Sequence, residues 1–125
     1  MRAFARIVGL VLIVFGLAGL AMGEQHLAGL VNVHLGTDLL HLVTGVLLAG
    51  VGFGSRSARL ARQAVGGMGL VYVMVGVLGF LAPTLSGLVP AGFTFADNLL
   101  HLAIGGLALT AVWLASRLAA LTSGG

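Results

Sequence analysis

A chain of 125 residues with 59% hydrophobic and 7% charged residues, at a mean hydropathy of +1.17, lacks the polar surface that a water-soluble domain of this size must present. Its net charge of +3 comes from six basic residues, all arginines, against three acidic ones, and it has no cysteine. These numbers exclude disulfide scaffolds and thiolate chemistry, and they leave no basic face for a nucleic acid to bind.

Four apolar stretches follow in chain order: Ala3 to Met22, Leu35 to Gly54, Ala64 to Ala82, and Thr94 to Leu114. Each is about 20 residues, which at ~1.5 Å per residue matches the ~30 Å hydrocarbon layer of a bilayer. None alternates with the period of two expected of barrel strands. Because backbone N–H and C=O groups have no water to bond inside lipid, the expected spans are helices. The fold class read from these runs is an all-α integral membrane bundle of four transmembrane helices, forming a single membrane domain over residues 1–125.

The first span invites comparison with a secretory signal, because Arg2 and Arg6 precede it and Ala21-Met22-Gly23 follows it. Its apolar run is longer than a signal core, so we expect it to be retained as a span. Arginine placement orients the whole chain. Arg2 and Arg6 lie before the first span, Arg56, Arg59 and Arg62 between the second and third, and Arg117 after the fourth, while the segments around 23–34 and 83–93 have none. By the positive-inside rule, both termini and the middle connection are expected on the cytoplasmic side of a bacterial inner membrane. The arginines then form a solvated rim against anionic lipid.

A sixty-residue internal repeat organises the chain. It pairs Gly9 with Gly69, Gly16 with Gly76, Gly19 with Gly79, His41 with His101 and Gly45 with Gly105. We read residues 1–60 and 61–120 as two tandem helical hairpins. An even number of spans per unit makes them a parallel repeat, related by an axis along the membrane normal.

The repeat carries a resemblance. Asp97-Asn98-Leu99-Leu100-His101-Leu102-Ala103-Ile104-Gly105, its weaker echo Thr37-Asp38-Leu39-Leu40-His41-Leu42-Val43-Thr44-Gly45, and the glycine-spaced helix before each resemble the domain-of-unknown-function family 4383. That family consists of small four-helix bacterial membrane proteins, and the resemblance covers nearly the whole chain. It implies the fold and no activity. In the first copy, Thr37 and Asp38 stand where the motif has Asp and Asn.

The glycines at 9, 16 and 19, and at 69, 76 and 79, keep to one helix face, the pattern that lets membrane helices approach closely. The alternative use of Gly16, Gly19, Gly76 and Gly79 is to admit a flat cofactor. His41 and His101 are ionisable groups inside apolar spans, a costly placement that makes them candidates for function. His34, Asp38, His41 and Gly45 share one helical face, as do Asp97 or Asn98, His101, Gly105 and Ala108. Two polar stripes are expected to meet there. The plainest reading is polar glue, in which Asp38 and Asn98 or Asp97 bond the histidines at ~0.6 to 2 kcal/mol per bond.

Thr94 and Asp97 have the spacing of a helix cap. Glu24, His26 and His34 could extend a metal site or be ordinary loop residues. Tyr72, which stands where the first repeat has Leu12, needs a partner for its hydroxyl.

The leading expectation is a non-catalytic accessory or structural membrane subunit with a paired His41/His101 polar site. Its partners would be the bilayer, other membrane subunits or a second copy of itself, with no cofactor required. One alternative is b-type haem held for electron transfer between the two imidazoles. The other is a divalent-metal or proton-handling site of His41, His101, Asp38 and Asp97. The five serines show no nucleophile elbow, and neither an H-E-x-x-H motif nor a phosphate loop occurs, so enzyme activity is not expected. Four helices also leave little interior for a pore.

Overall fold

The computed structural model describes residues 1–23, 25–27, 31–87 and 92–123, with the side chains of 25–27, 31, 32 and 123 outside that description. Four helices dominate it: α1 (Arg2–Met22), α2 (Leu35–Gly54), α3 (Ala58–Leu81) and α4 (Phe95–Ser123). All four are long and apolar enough to cross a membrane.

Hydropathy alone locates the apolar runs, and α3 and α4 both extend beyond them. α3 begins six residues before Ala64, because Ser57 caps it, its Oγ accepting from Leu60 N at 3.2 Å. Arginine is a good helix former, so Arg59 and Arg62 belong to the first turns of α3 rather than to a loop. Likewise α4 runs on through Arg117, whose guanidinium lies over the Trp113 ring at 5.4 Å. Arg6 makes a similar contact, 5.1 Å over the ring of Phe53. A second departure is a short antiparallel ladder, Gln25–Leu27 with Val31–Val33, in the segment between α1 and α2.

Packing is strongest within hairpins, α1 on α2 and α3 on α4. The reason lies in the glycines. A Cβ on Gly9 would stand 2.5 Å from Ala49 N and 2.9 Å from Gly45 O, and one on Gly45 would stand 2.7 Å from Ile13 N. Sixty residues on, a Cβ on Gly69 would meet Gly105 O at 3.1 Å, and one on Gly105 would meet Gly69 O at 2.7 Å. Backbone-to-backbone approach of this kind maximises dispersion contact between the paired helices.

Between the hairpins, a core forms from Ala5, Leu12, Leu48, Val65, Met68, Tyr72 and Ala108. Tyr72 is fully buried. Its hydroxyl donates to Thr44 Oγ1 at 2.9 Å, since the Thr44 hydroxyl proton is given to Leu40 O at 2.6 Å. This bond ties α3 to α2. At the equivalent α1/α4 seam, Leu12 and Ile104 take the places of Tyr72 and Thr44, and no such bond is made there.

Removing the hydroxyl with Tyr72→Phe keeps the ring and loses one inter-hairpin bond. We expect a loss of about 1 kcal/mol in detergent unfolding titrations. Thr44→Val should give a similar loss, and the double variant should cost little more than either single one. Full additivity would show that the two side chains do not interact.

The outward faces are apolar from end to end, with Ile7, Val14, Leu47, Met74, Leu107 and Leu118 each more than half exposed. In water such a surface would aggregate.

Candidate functional site

α2 and α4 deliver their histidines at matching heights, each six residues after the first residue of its helix, Leu35 or Phe95. The two rings meet. Their centroids are 5.7 Å apart and their planes differ by 14°. Tyr72 touches both, at 6.0 Å from His41 and 5.5 Å from His101, while Phe15 lies 6.2 Å from His41 and Phe93 stands edge-on 5.7 Å from His101. The histidines therefore sit in an aromatic cage built from all four helices and the segment before α4. The sequence singles out Tyr72 for its hydroxyl but does not connect it to the histidines. It gives no role to Phe15 or Phe93, since an aromatic in an apolar span carries no signal of what it faces.

His101 is 3% exposed, and its Nδ1 lies 2.6 Å from Asp97 O. A carbonyl only accepts, so Nδ1 carries the proton and Nε2 of the neutral ring carries the lone pair. That Nε2 is buried without a hydrogen-bond partner. His41 and His101 thus form no hydrogen bond to each other.

The carboxylates and amide expected to bond the histidines are occupied otherwise. Asp97 Oδ2 accepts from Thr94 N at 2.8 Å and from Thr94 Oγ1 at 2.9 Å, while Thr94 Oγ1 accepts from Asp97 N at 3.1 Å. This reciprocal cap is the one expected from the spacing, and it satisfies orphan donors at the start of α4. The side chain of Asp38 lies against Gly19, and that of Asn98 against Gly79, in the space a Cβ would need. Buried Asn98 Oδ1 has no partner. His34 serves as the N-cap of α2, its Nδ1 accepting from Gly36 N at 3.1 Å. Glu24 and the side chain of His26 lie outside the described residues.

The arrangement bears on two expectations. His41, His101, Asp38 and Asp97 all line one cavity, while among the described residues no group of three or more His, Cys, Asp or Glu side chains is placed to hold a metal ion. Asp97 Oδ2 is engaged in the cap of α4, and the Asp38 side chain packs against Gly19. Gly16, Gly19, Gly76 and Gly79, the positions a flat cofactor would need, are packed against neighbouring residues. A Cβ on Gly16 would stand 2.8 Å from Asp38 O, and one on Gly76 would stand 2.7 Å from Leu102 Cγ and 2.9 Å from Asn98 O. The neighbouring helix fills each space.

What the site does hold is a cavity of about 250 Å³, walled by Phe15, Met22, Asp38, His41, His101 and Ile104 among others. It combines apolar walls with a small number of polar groups, the usual character of a ligand site.

No protein-family model, curated protein or solved structure matches the chain. Function must therefore be read from the chemistry of this site.

Proposed function

We propose that the chain is a multi-pass integral membrane protein made of two tandem helical hairpins, a non-catalytic accessory subunit whose His41/His101 cage is its ligand-binding or partner-coupling site. The carrying observation is the meeting of His41 and His101 in one cage with Tyr72, at the junction of the two hairpins. Recurrence of the glycine contacts at a sixty-residue offset supports duplication, and the resemblance to the uncharacterised four-helix family 4383 agrees with it. Apolar outward faces and four spans of sufficient length support insertion. The arginines all lie at the helix ends away from the histidines, which supports cytoplasmic termini in a bacterial inner membrane.

The topology has a direct check. Reporters fused at either terminus or beside Arg59 are expected to score cytoplasmic, and one near Leu88 external. A cytoplasmic score at Leu88 would defeat the four-span reading.

One observation favours a second reading, metal or haem ligation by the two imidazoles. An imidazole whose Nδ1–H is held by a backbone carbonyl, with Nε2 free, is prepared as a ligand. His41 stands beside it, its ring nearly parallel with centres 5.7 Å apart. Against haem stands the filling of the glycine faces by helix packing. An absorbance spectrum and metal analysis of the detergent-purified protein separate the readings. A Soret band or a stoichiometric metal would establish the second, and a colourless, metal-free protein with intact helicity the first.

A further inference from the structure

The two seams between the hairpins differ. Tyr72 and Thr44 close the α2/α3 seam with a hydrogen bond. The α1/α4 seam instead holds an apolar groove of about 380 Å³, lined by Phe4, Val8 and Leu12 of α1 and by Ile104, Leu107 and Leu114 of α4. Ile104 is also a wall of the histidine cavity, whose α1 side continues through Phe15 and Met22. Groove and cavity therefore follow one another along the same two helices. From Phe4 to Met22 they span about 27 Å at the helical rise, the height of a bilayer's hydrocarbon core.

We propose that this seam binds an isoprenoid hydroquinone, with the aromatic head in the His41/His101 cavity, a head hydroxyl donating to His101 Nε2, and the tail lying along the α1/α4 groove. The proposal rests on the membrane reading above and deepens it by naming the ligand class.

Four observations select that chemistry. His101 Nε2 is a buried acceptor without a partner, and leaving such a group unsatisfied is costly, so the occupant must offer a donor. The lining is largely apolar, and of its two carboxyl groups Asp97 is held in the α4 cap and Asp38 packs on Gly19, which disfavours a charged head, so that donor is neutral. Phe15, His41 and His101 present rings around the head position, which favours an aromatic head over an aliphatic alcohol. A cavity of 250 Å³ exceeds the ~150 Å³ that suffices for benzene, leaving room for ring substituents. The groove's almost wholly apolar lining suits a single hydrocarbon chain.

The test uses the full chain in phosphatidylcholine nanodiscs, with calorimetric titration of decylhydroquinone kept reduced under argon and empty discs subtracted. Saturable binding at one per chain is expected. The dimethyl ether of the same probe lacks the donor and should bind at least tenfold more weakly, as should decanol, which lacks the ring. His101→Phe, which keeps the ring and removes the acceptor, should also lose about tenfold. Ala111→Phe fills the groove, so decylhydroquinone should bind it no better than methylhydroquinone does, whereas Ala18→Phe fills the head cavity and should abolish binding of both. Each variant is melted alongside the parent, and should the seam variants fail to fold, the ether and His101→Phe arms decide.

Equal binding of the ether and the hydroquinone, an unaffected His101→Phe, or no saturable binding would each overturn the proposal. Stoichiometric haem or metal at the histidines would do so as well. Failure of the topology reporters would defeat the membrane reading itself, whereas correct topology with no hydroquinone binding defeats this proposal alone.

Discussion

Gly9→Leu is expected to abolish assembly of the α1/α2 hairpin, and Gly9→Ala to destabilise the protein by about 1–3 kcal/mol, the range for overpacking a close contact. The added carbon would stand 2.5 Å from Ala49 N and 3.0 Å from Ala49 Cα, backbone atoms that move only if the helices part. Parting them also disturbs the reciprocal contact of Gly45 with Ile13, so the damage spreads along the seam. Gly69→Ala should cost less. Its nearest contacts would be at 3.1 Å, and two of those three atoms belong to the side chains of Ala108 and Leu109. At Gly50 and Gly67 an added Cβ would meet nothing within 4 Å, so alanine there should be neutral or stabilise by about 0.5–1 kcal/mol through helix propensity. Thermal melts in detergent followed by circular dichroism would rank the four alanine variants. If Gly9→Ala melted with Gly50→Ala, the close approach of α1 and α2 would be wrong.

His101→Ala should cost about 2–4 kcal/mol, whereas His101→Phe should retain most of the stability. Alanine empties the centre of the cage, removing contacts to His41, Tyr72 and Phe93 together. Phenylalanine restores a ring of similar size and dispenses with the partnerless Nε2, while the Asp97 carbonyl keeps its helical hydrogen bonding. Equal melting of the two variants would show that ring packing is not what His101 contributes to the fold. A large loss in the phenylalanine variant as well would point to a bound ligand on Nε2 in the purified protein, which the absorbance spectrum and metal analysis would identify.

Much of the architecture was legible because its causes are local. Hydropathy found four apolar runs, and the structure has four helices at those places, their ends set by capping that hydropathy does not register. Thr94 and Asp97 cap α4 as their spacing predicts, since a capping box needs only residues three apart. Helical periodicity put His41 and His101 on polar stripes expected to meet, and the rings do meet.

The partners of those stripes were a different matter. Periodicity says which face of a helix a residue occupies, but it carries no distance to the next helix. The sequence therefore could not show that Asp38 and Asn98 would lie against Gly19 and Gly79 rather than reach the histidines, or that His101 would bond the backbone of Asp97. Nor could it show that exchanging Tyr72 and Thr44 for Leu12 and Ile104 leaves one seam bonded and the other grooved. The number of long helices, their apolar character, the polar face that carries each histidine and the cap of α4 were all settled by the sequence alone, as consequences of composition and of spacing within one helix. Only the tertiary structure decided which groups touch, because contact depends on how closely two helices approach, and that distance is set by the glycines and side chains of both at once.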